Sequence, residues 1–252
     1  MTDASVLIRL ALLLVRPGVV VALAPTIGGA FVPPHIKVGL TVLLGIGLLP
    51  AVTLPDVTSL GPLTTVIARE VVIGMSIALM LRALVAGVEF AGHLSGLQMG
   101  LGYAATIDPA NGVRNSVITS LFGMTAVLAL FAINGHHAML RALAMSYSGL
   151  PMGTGGVDDS LLQSVRDTFA LVFVTGVRLA APLIVVLVIV ETAIGFISRV
   201  APSLSFMVIG YPIRLVIGLF VIGLVVGTIP GAVSGLLDRT LRLSLAAAAA
   251  FK

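Results

Sequence analysis

The chain has no cysteine among its 252 residues, which removes disulfides, thiolate catalysis and cysteine metal sites together and leaves the redox compartment undetermined. It is also short of charge. Only 10% of its residues are charged, against 58% hydrophobic, and the mean hydropathy is +1.19. That leaves too little polar surface to coat a soluble globule of this size. The apolar residues come as unbroken runs of Leu, Val, Ile and Ala without the alternation of a membrane barrel, so the backbone is satisfied as helices. The expected fold class is therefore all-α, a polytopic helical membrane protein. The net charge of +4 comes from basic residues scattered singly, which fits snorkelling and loop positions and excludes a nucleic-acid footprint.

Catalytic signatures are missing as well. There is no Gly-x-Ser-x-Gly, no phosphate-binding loop, no His-x-x-x-His pair and no His-Glu-x-x-His motif, so neither an enzyme nor an energy-supplying ATPase is expected. His93, His136 and His137 invite a metal or haem reading, with His35 adding nothing by spacing. Neighbouring positions on a helix point about 100° apart, and no carboxylate cluster joins them, so neither metal nor cofactor is expected.

What is present is a series of apolar segments near 4–24, 36–54, 66–90, 116–133, 169–190 and 204–229, each about long enough to cross a bilayer. Arg16-Pro17-Gly18 kinks or divides the first. Ala22-Leu23-Ala24 resembles a signal cleavage site, but Asp3, Arg9, Arg16 and Pro25 argue for a retained helix. Between the segments stand Pro33-Pro34, Pro55-Asp56, Asp108-Pro109, Pro151 to Gly156 and Ala201-Pro202. The stretch 134–168 reads as a short interfacial or re-entrant helix near 137–149 followed by a polar loop. Arg239, Arg242 and Lys252 favour a cytoplasmic C-terminus, and an even number of crossings puts the N-terminus there too.

Three features carry a mechanism. Gly92, Gly96 and Gly100 recur every four residues, as do Gly223, Gly227, Gly231 and Gly235. Each series makes a stripe without side chains where another helix can approach, either within the chain's own bundle or on a partner subunit. Ionisable residues lie in or near the spans: Glu70, Arg82, Glu89, Arg178, Glu191 and Arg214. Snorkelling or structural ion pairing is the preferred reading, ahead of a coupling-ion path, and Arg82 and Glu89, about two turns apart, face one groove. The apolar segment from Leu97 to Pro109 breaks helical continuity at Gly100, Gly102 and Pro109. It reads either as a loop inside a pore, with Met99, Gly100, Gly102, Tyr103, Asp108 and Pro109 as its lining, or as a helix-ending surface turn.

Taken in order and spacing, several pieces resemble the FliR proteins of flagellar export and their counterparts in virulence type III secretion. They are Arg16-Pro17-Gly18 through Pro25, with Val32-Pro33 and Lys37; Glu70 to Gly74; Ala91-Gly92 through Gln98 to Leu101; Asp108-Pro109; Phe131 with Asn134-Gly135-His136; Ser146-Tyr147 with Leu150-Pro151; and Ile197 to Pro202, including Arg199, with Phe206, Ile209-Gly210 and Pro212. The Asn-Gly-His element is more flagellar than virulence-like. The resemblance implies one export-gate domain over residues 1–252, with no fused FlhB domain, placed in the bacterial inner membrane at the flagellar basal body. It implies a subunit that joins FliP and FliQ in a pore-forming helical assembly, meets FlhB from the cytoplasmic side, and passes unfolded proteins. Members of that family hold the loop matching Met99 to Asp108 in the channel as a plug and sit largely above the bilayer plane. Apolar surface buried against neighbouring subunits reads the same as surface facing lipid, so the six-span expectation is exposed to that confusion. The alanine-rich stretch from Leu245 to Phe251 departs from the family pattern. The rival expectation is a stand-alone secondary transporter that uses Glu70, Arg82, Glu89 or Arg178, although the two halves show no inverted repeat.

Overall fold

A computed structural model describes residues 3–26, 28–29, 32–52, 60–101, 117–153, 159–200 and 206–250. Apart from turns, the described residues are helical: α1 (Asp3–Leu23), α2 (Pro34–Leu48) with a 3-10 turn at Leu49–Ala51, α3 (Leu60–Gln98), α4 (Val117–Ala132), α5 (Gly135–Gly149), α6 (Asp159–Val200), α7 (Phe206–Val226) and α8 (Ile229–Ala250). The all-α membrane class expected from composition is the class observed. Each of the six apolar segments falls on a helix, and the short helix expected near 137–149 is α5.

The chain divides into two compact units interleaved in sequence. One comprises Met1–Ala83, Leu130–Phe169 and Gly235–Lys252; the other comprises Leu84–Ala129 and Ala170–Ser234.

In the first unit, α1 buries Leu12, Leu13, Val20 and Val21, with Arg16 in the middle of the same face and Ala24 buried just after its end. The spacing of about four is one helical stripe. Pro17 lies inside α1. It removes the N–H that would bond the Leu13 carbonyl, yet the helix continues through it. α2 starts with Pro33 as its N-cap and Pro34 at the first position, where a missing N–H costs nothing. Small residues let α1 and its neighbours meet: a Cβ on Gly18 would lie 3.4 Å from Thr41 Cγ2, and one on Gly74 would lie 3.0 Å from the Arg16 carbonyl oxygen and 3.1 Å from Val19 Cβ.

The sharp turn between α4 and α5 explains Asn134-Gly135 without recourse to function. Asn134 takes φ 55°, the left-handed region that asparagine tolerates better than most residues. Its carbonyl accepts bonds from the His137 and Ala138 amides, at 3.0 and 3.3 Å. Gly135 is packed so closely that a Cβ would lie 2.9 Å from the Leu130 carbonyl oxygen.

In the second unit, the last turns of α3 lie against α4 and α6. A Cβ on Gly92 would come within 2.9 Å of Phe122 Cβ and Thr119 Cα, and one on Gly176 within 2.9 Å of the Gly87 carbonyl oxygen. Phe90 and Phe173 meet at 4.9 Å between ring centroids, tilted by 54°, a contact geometry that aromatic pairs favour.

Helix lengths revise the span expectation. Among the described residues, two helices are long and apolar enough to cross a membrane, Leu63–Gln98 and Val165–Val200, or up to four if each broken pair, α4 with α5 and α7 with α8, is one span. The segments read as 66–90 and 169–190 are parts of helices of 39 and 42 residues. At about 1.5 Å per residue these are about 58 and 63 Å long, near twice the ~30 Å hydrocarbon core. α6 also begins at Asp159, inside the stretch read as a polar loop to 168. α8 was not expected: Pro230 occupies its first turn, and Thr228 closes α7 through bonds from its amide and hydroxyl to the Val225 carbonyl, at 2.9 and 2.7 Å.

Candidate functional site

Arg16 joins several elements through its side chain. It and Glu70 are 0% exposed and form a two-pronged ion pair, Nε to Oε2 at 2.7 Å and Nη2 to Oε1 at 3.0 Å. Nη1 donates to Ser146 Oγ at 2.9 Å, and Nη2 also donates to the Leu150 carbonyl at 3.1 Å. Leu150 is the C-cap of α5, so the guanidinium meets the negative end of that helix and satisfies one of its last carbonyls. The Arg16 guanidinium carbon lies 4.0 Å from the centroid of the Tyr147 ring, a cation–π contact in a desolvated place. Ser146 Oγ passes its own proton to the Leu143 carbonyl at 2.7 Å. Beside Glu70, Arg69 donates to the Gly153 carbonyl at 3.0 Å, so Arg16 of α1 and Arg69 of α3 hold the two ends of the turn after α5.

Taking two charges out of water is costly. Here bidentate geometry and the extra donors and acceptors offset the penalty, and removing one partner would strand the other at a cost of about 3–5 kcal/mol. The sequence singled out Glu70 as an expensive charge, and Arg16 as part of a kink, as an interruption of a signal-like segment and as a residue of the resemblance. What it missed is that they are partners. The available signal was Arg16's place on α1's apolar stripe, together with the fact that Arg16, Glu70, Ser146, Tyr147 and Leu150 are all residues of the resemblance.

The end of α3 is a Schellman turn. Gly100 takes φ 78°, the Leu101 amide bonds the Gly96 carbonyl at 3.0 Å, and the Gly100 amide bonds the Leu97 carbonyl at 3.0 Å. Met99 is buried, and its side chain fills the space at Gly218 of α7, where a Cβ would lie 2.7 Å from Met99 Cγ. A Cβ on Gly100 would lie 3.0 Å from Tyr211 Cε2. Met99 and Gly100 thus lie at the end of α3, while Gly102, Tyr103, Asp108 and Pro109 lie outside the described residues.

The two glycine series behave differently. Gly92 and Gly96 are buried inside the second unit, Gly92 against Phe122 and Thr119. Gly223, Gly231 and Gly235 have nothing within 4 Å of a Cβ position, and Gly227 has only the Leu224 carbonyl oxygen at 3.6 Å. The second series does not run along one helix as expected, because the chain breaks at Gly227–Thr228.

The remaining candidates are dispersed. Arg82 is exposed, and Glu89 is half-buried with its carboxylate against Gly123, where a Cβ would lie 3.0 Å from Oε1. Arg199 is exposed in the last turn of α6, where a cation favours the helix dipole. Glu191 and Arg214 form an ion pair at 2.7 Å between α6 and α7. His136 lies 5.3 Å from the Phe131 ring and 4.3 Å from His137 between centroids. Among the described residues no group of three or more His, Asp or Glu side chains is placed to hold a metal ion.

Long apolar helices with a buried charge cluster and glycine-lined contacts define a polytopic helical membrane protein. Comparison with known proteins narrows the class. Residues 7–240 match the family described as bacterial export proteins, family 1, and the chain belongs to that family. It is similar to the flagellar biosynthetic protein FliR of Pectobacterium carotovorum subsp. carotovorum, at 31% identity over 86% of this chain and 83% of the relative. It is likewise similar to that of Escherichia coli K12, at 30% over 82% and 79%, and to that of Caulobacter vibrioides, at 28% over 85% and 86%. These relatives make it a membrane component of flagellar protein export.

Proposed function

We propose that the chain is a structural and gating subunit of the flagellar export channel, assembled with FliP and FliQ in the inner membrane and contacted by FlhB from the cytoplasmic side. In this reading it does no catalysis and serves the passage of unfolded flagellar proteins through one export-gate domain. Beside the family match, one observation carries it: the chain leaves much of its apolar helical surface uncovered. In α6 only 22% of the most apolar stretch is buried by the rest of the chain, against 61% in α3. Phe173, Val185, Ile189 and Phe196 of α6 and Val216, Phe220 and Leu224 of α7 are all more than half exposed. Patches of that size are covered by lipid or by other proteins.

The decisive experiment is affinity isolation of the tagged chain from native membranes in mild detergent. Co-isolation of FliP and FliQ is expected. A solitary monomer that takes up solute in liposomes would overturn the reading in favour of a transporter. The buried Glu70 carboxylate argues against that rival, because Arg16 occupies it.

The gating part rests on the segment after Leu101. Deletion of residues 103–108 from the assembled complex should raise ion leakage through the channel; a deletion complex that assembles and leaks no more than the parent would remove the plug from the proposal.

A further inference from the structure

We propose that the Arg16–Glu70 cluster is a permanently closed clasp, a positioning device that holds α1, the first part of α3 and the turn after α5 as one static frame while substrates pass; this rests on the export reading above. The guanidinium has little left to offer another state. It gives two bonds to the carboxylate, one to Ser146 and one to the Leu150 carbonyl, and it lies over the Tyr147 ring. Both charged side chains are wholly buried, so opening the clasp would leave two ions without solvent, a state that buried pairs strongly resist.

The backbone is held as closely as the side chains. Glu70 and Gly74 stand one turn apart on α3. At Gly74 the Arg16 carbonyl oxygen is already 3.0 Å from where a Cβ would be, which leaves no slack for α1 to slide. Arg16, itself held by Glu70, fixes the Leu150 carbonyl and Arg69 fixes the Gly153 carbonyl, with Gly153 in the left-handed region at φ 81°. The chain leaving α5 therefore has Leu150 and Gly153 as fixed points, and any movement that accompanies export takes place outside the clasp.

The absence of native cysteine makes a clean test available. Val19→Cys with Gly74→Cys sets Cβ positions 3.1 Å apart, close to the about 3.5–4.5 Å span of a disulfide. Gly18→Cys with Thr41→Cys, which joins α1 to α2 outside the clasp, is the control for oxidation, so that only a loss confined to the Val19–Gly74 pair bears on the clasp. Each is expressed in full length in a strain lacking its own FliR, and export of flagellin is compared before and after oxidation. A static clasp exports equally well in both states. Complexes that keep their partners but stop exporting when tethered at Val19–Gly74, and resume with reductant, would show that α1 must move and would overturn the proposal.

A second arm reads the charges themselves. Arg16→Ala and Glu70→Ala should each lower the folded level in membranes by about tenfold or more. Arg16→Met combined with Glu70→Leu should recover both level and export, because a static frame needs the packing and not the ions. Single variants with normal level and export would make the clasp dispensable, and a double variant that folds but cannot export would give the charges an active role; either result overturns the inference. If the unaltered chain fails to restore export in that strain, the export reading fails instead, and the folded levels of the single and double variants still decide whether the clasp exists.

Discussion

Tyr147 illustrates how sharply local chemistry divides within one side chain. Its ring accepts the Arg16 cation, while its hydroxyl is buried with no hydrogen-bond partner among the described residues. An unsatisfied buried hydroxyl costs about 1–3 kcal/mol, whereas the ring contact favours the fold. Tyr147→Phe is therefore expected to leave the melting temperature of the purified protein unchanged or raise it, and Tyr147→Leu to lower it; a loss for phenylalanine as large as for leucine would show that the hydroxyl has a partner. Gly100 gives a second prediction at this scale. Alanine there must hold φ 78° and meet Tyr211, so Gly100→Ala should cost about 1 kcal/mol or more, read as a lower denaturation midpoint. This penalty exists whether or not the following segment enters a pore, so substitution of Gly100 alone does not test gating. Individual charges were legible in the sequence because a carboxylate in an apolar run is conspicuous by its cost. Their pairing was not: Arg16 and Glu70 are 54 positions apart, and no local periodicity joins them.

At the level of elements, apolar runs located the helices well and their ends badly. Hydropathy reports where side chains avoid water, and a helix continues past that point as long as its backbone bonds do, which is why α3 and α6 outrun their apolar centres. Proline was informative in proportion to its neighbours. Pro17, Pro182 and Pro212 all lie inside helices, while Pro230 marks a first turn. The Asn134 corner is a clear case of turn chemistry read correctly as a break and left unexplained in its residue choice. With φ 55° at that position, Asn134→Gly should be tolerated and Asn134→Val should cost about 1–2 kcal/mol. Proteolysis at the α4–α5 corner would check this, with faster cleavage expected in the valine variant alone.

For the whole molecule, composition alone identified the solvent and the helical class, because both follow from how much polar surface exists. It could not separate lipid-facing from protein-facing surface, since the two have the same chemistry. The open glycines offer a way to do so. A leucine at Gly231 meets nothing within 4 Å of its Cβ in the chain's own fold, and replacing glycine in a helix favours the helix by up to about 1 kcal/mol. Gly231→Leu should thus leave the isolated protein as stable as before and reduce co-isolation of FliP and FliQ. Gly92→Leu, packed on Phe122, should instead destabilise the isolated protein. Equal behaviour of the two variants would refute the distinction between internal and external glycine contacts.

The elbow after Gly227 has a consequence for the company this protein keeps. α7 and α8 diverge there by 49°, so one straight rod cannot lie along the full length of both. A neighbour that follows the whole path must crook with it, or else two separate visitors share the corner, each seated on its own arm.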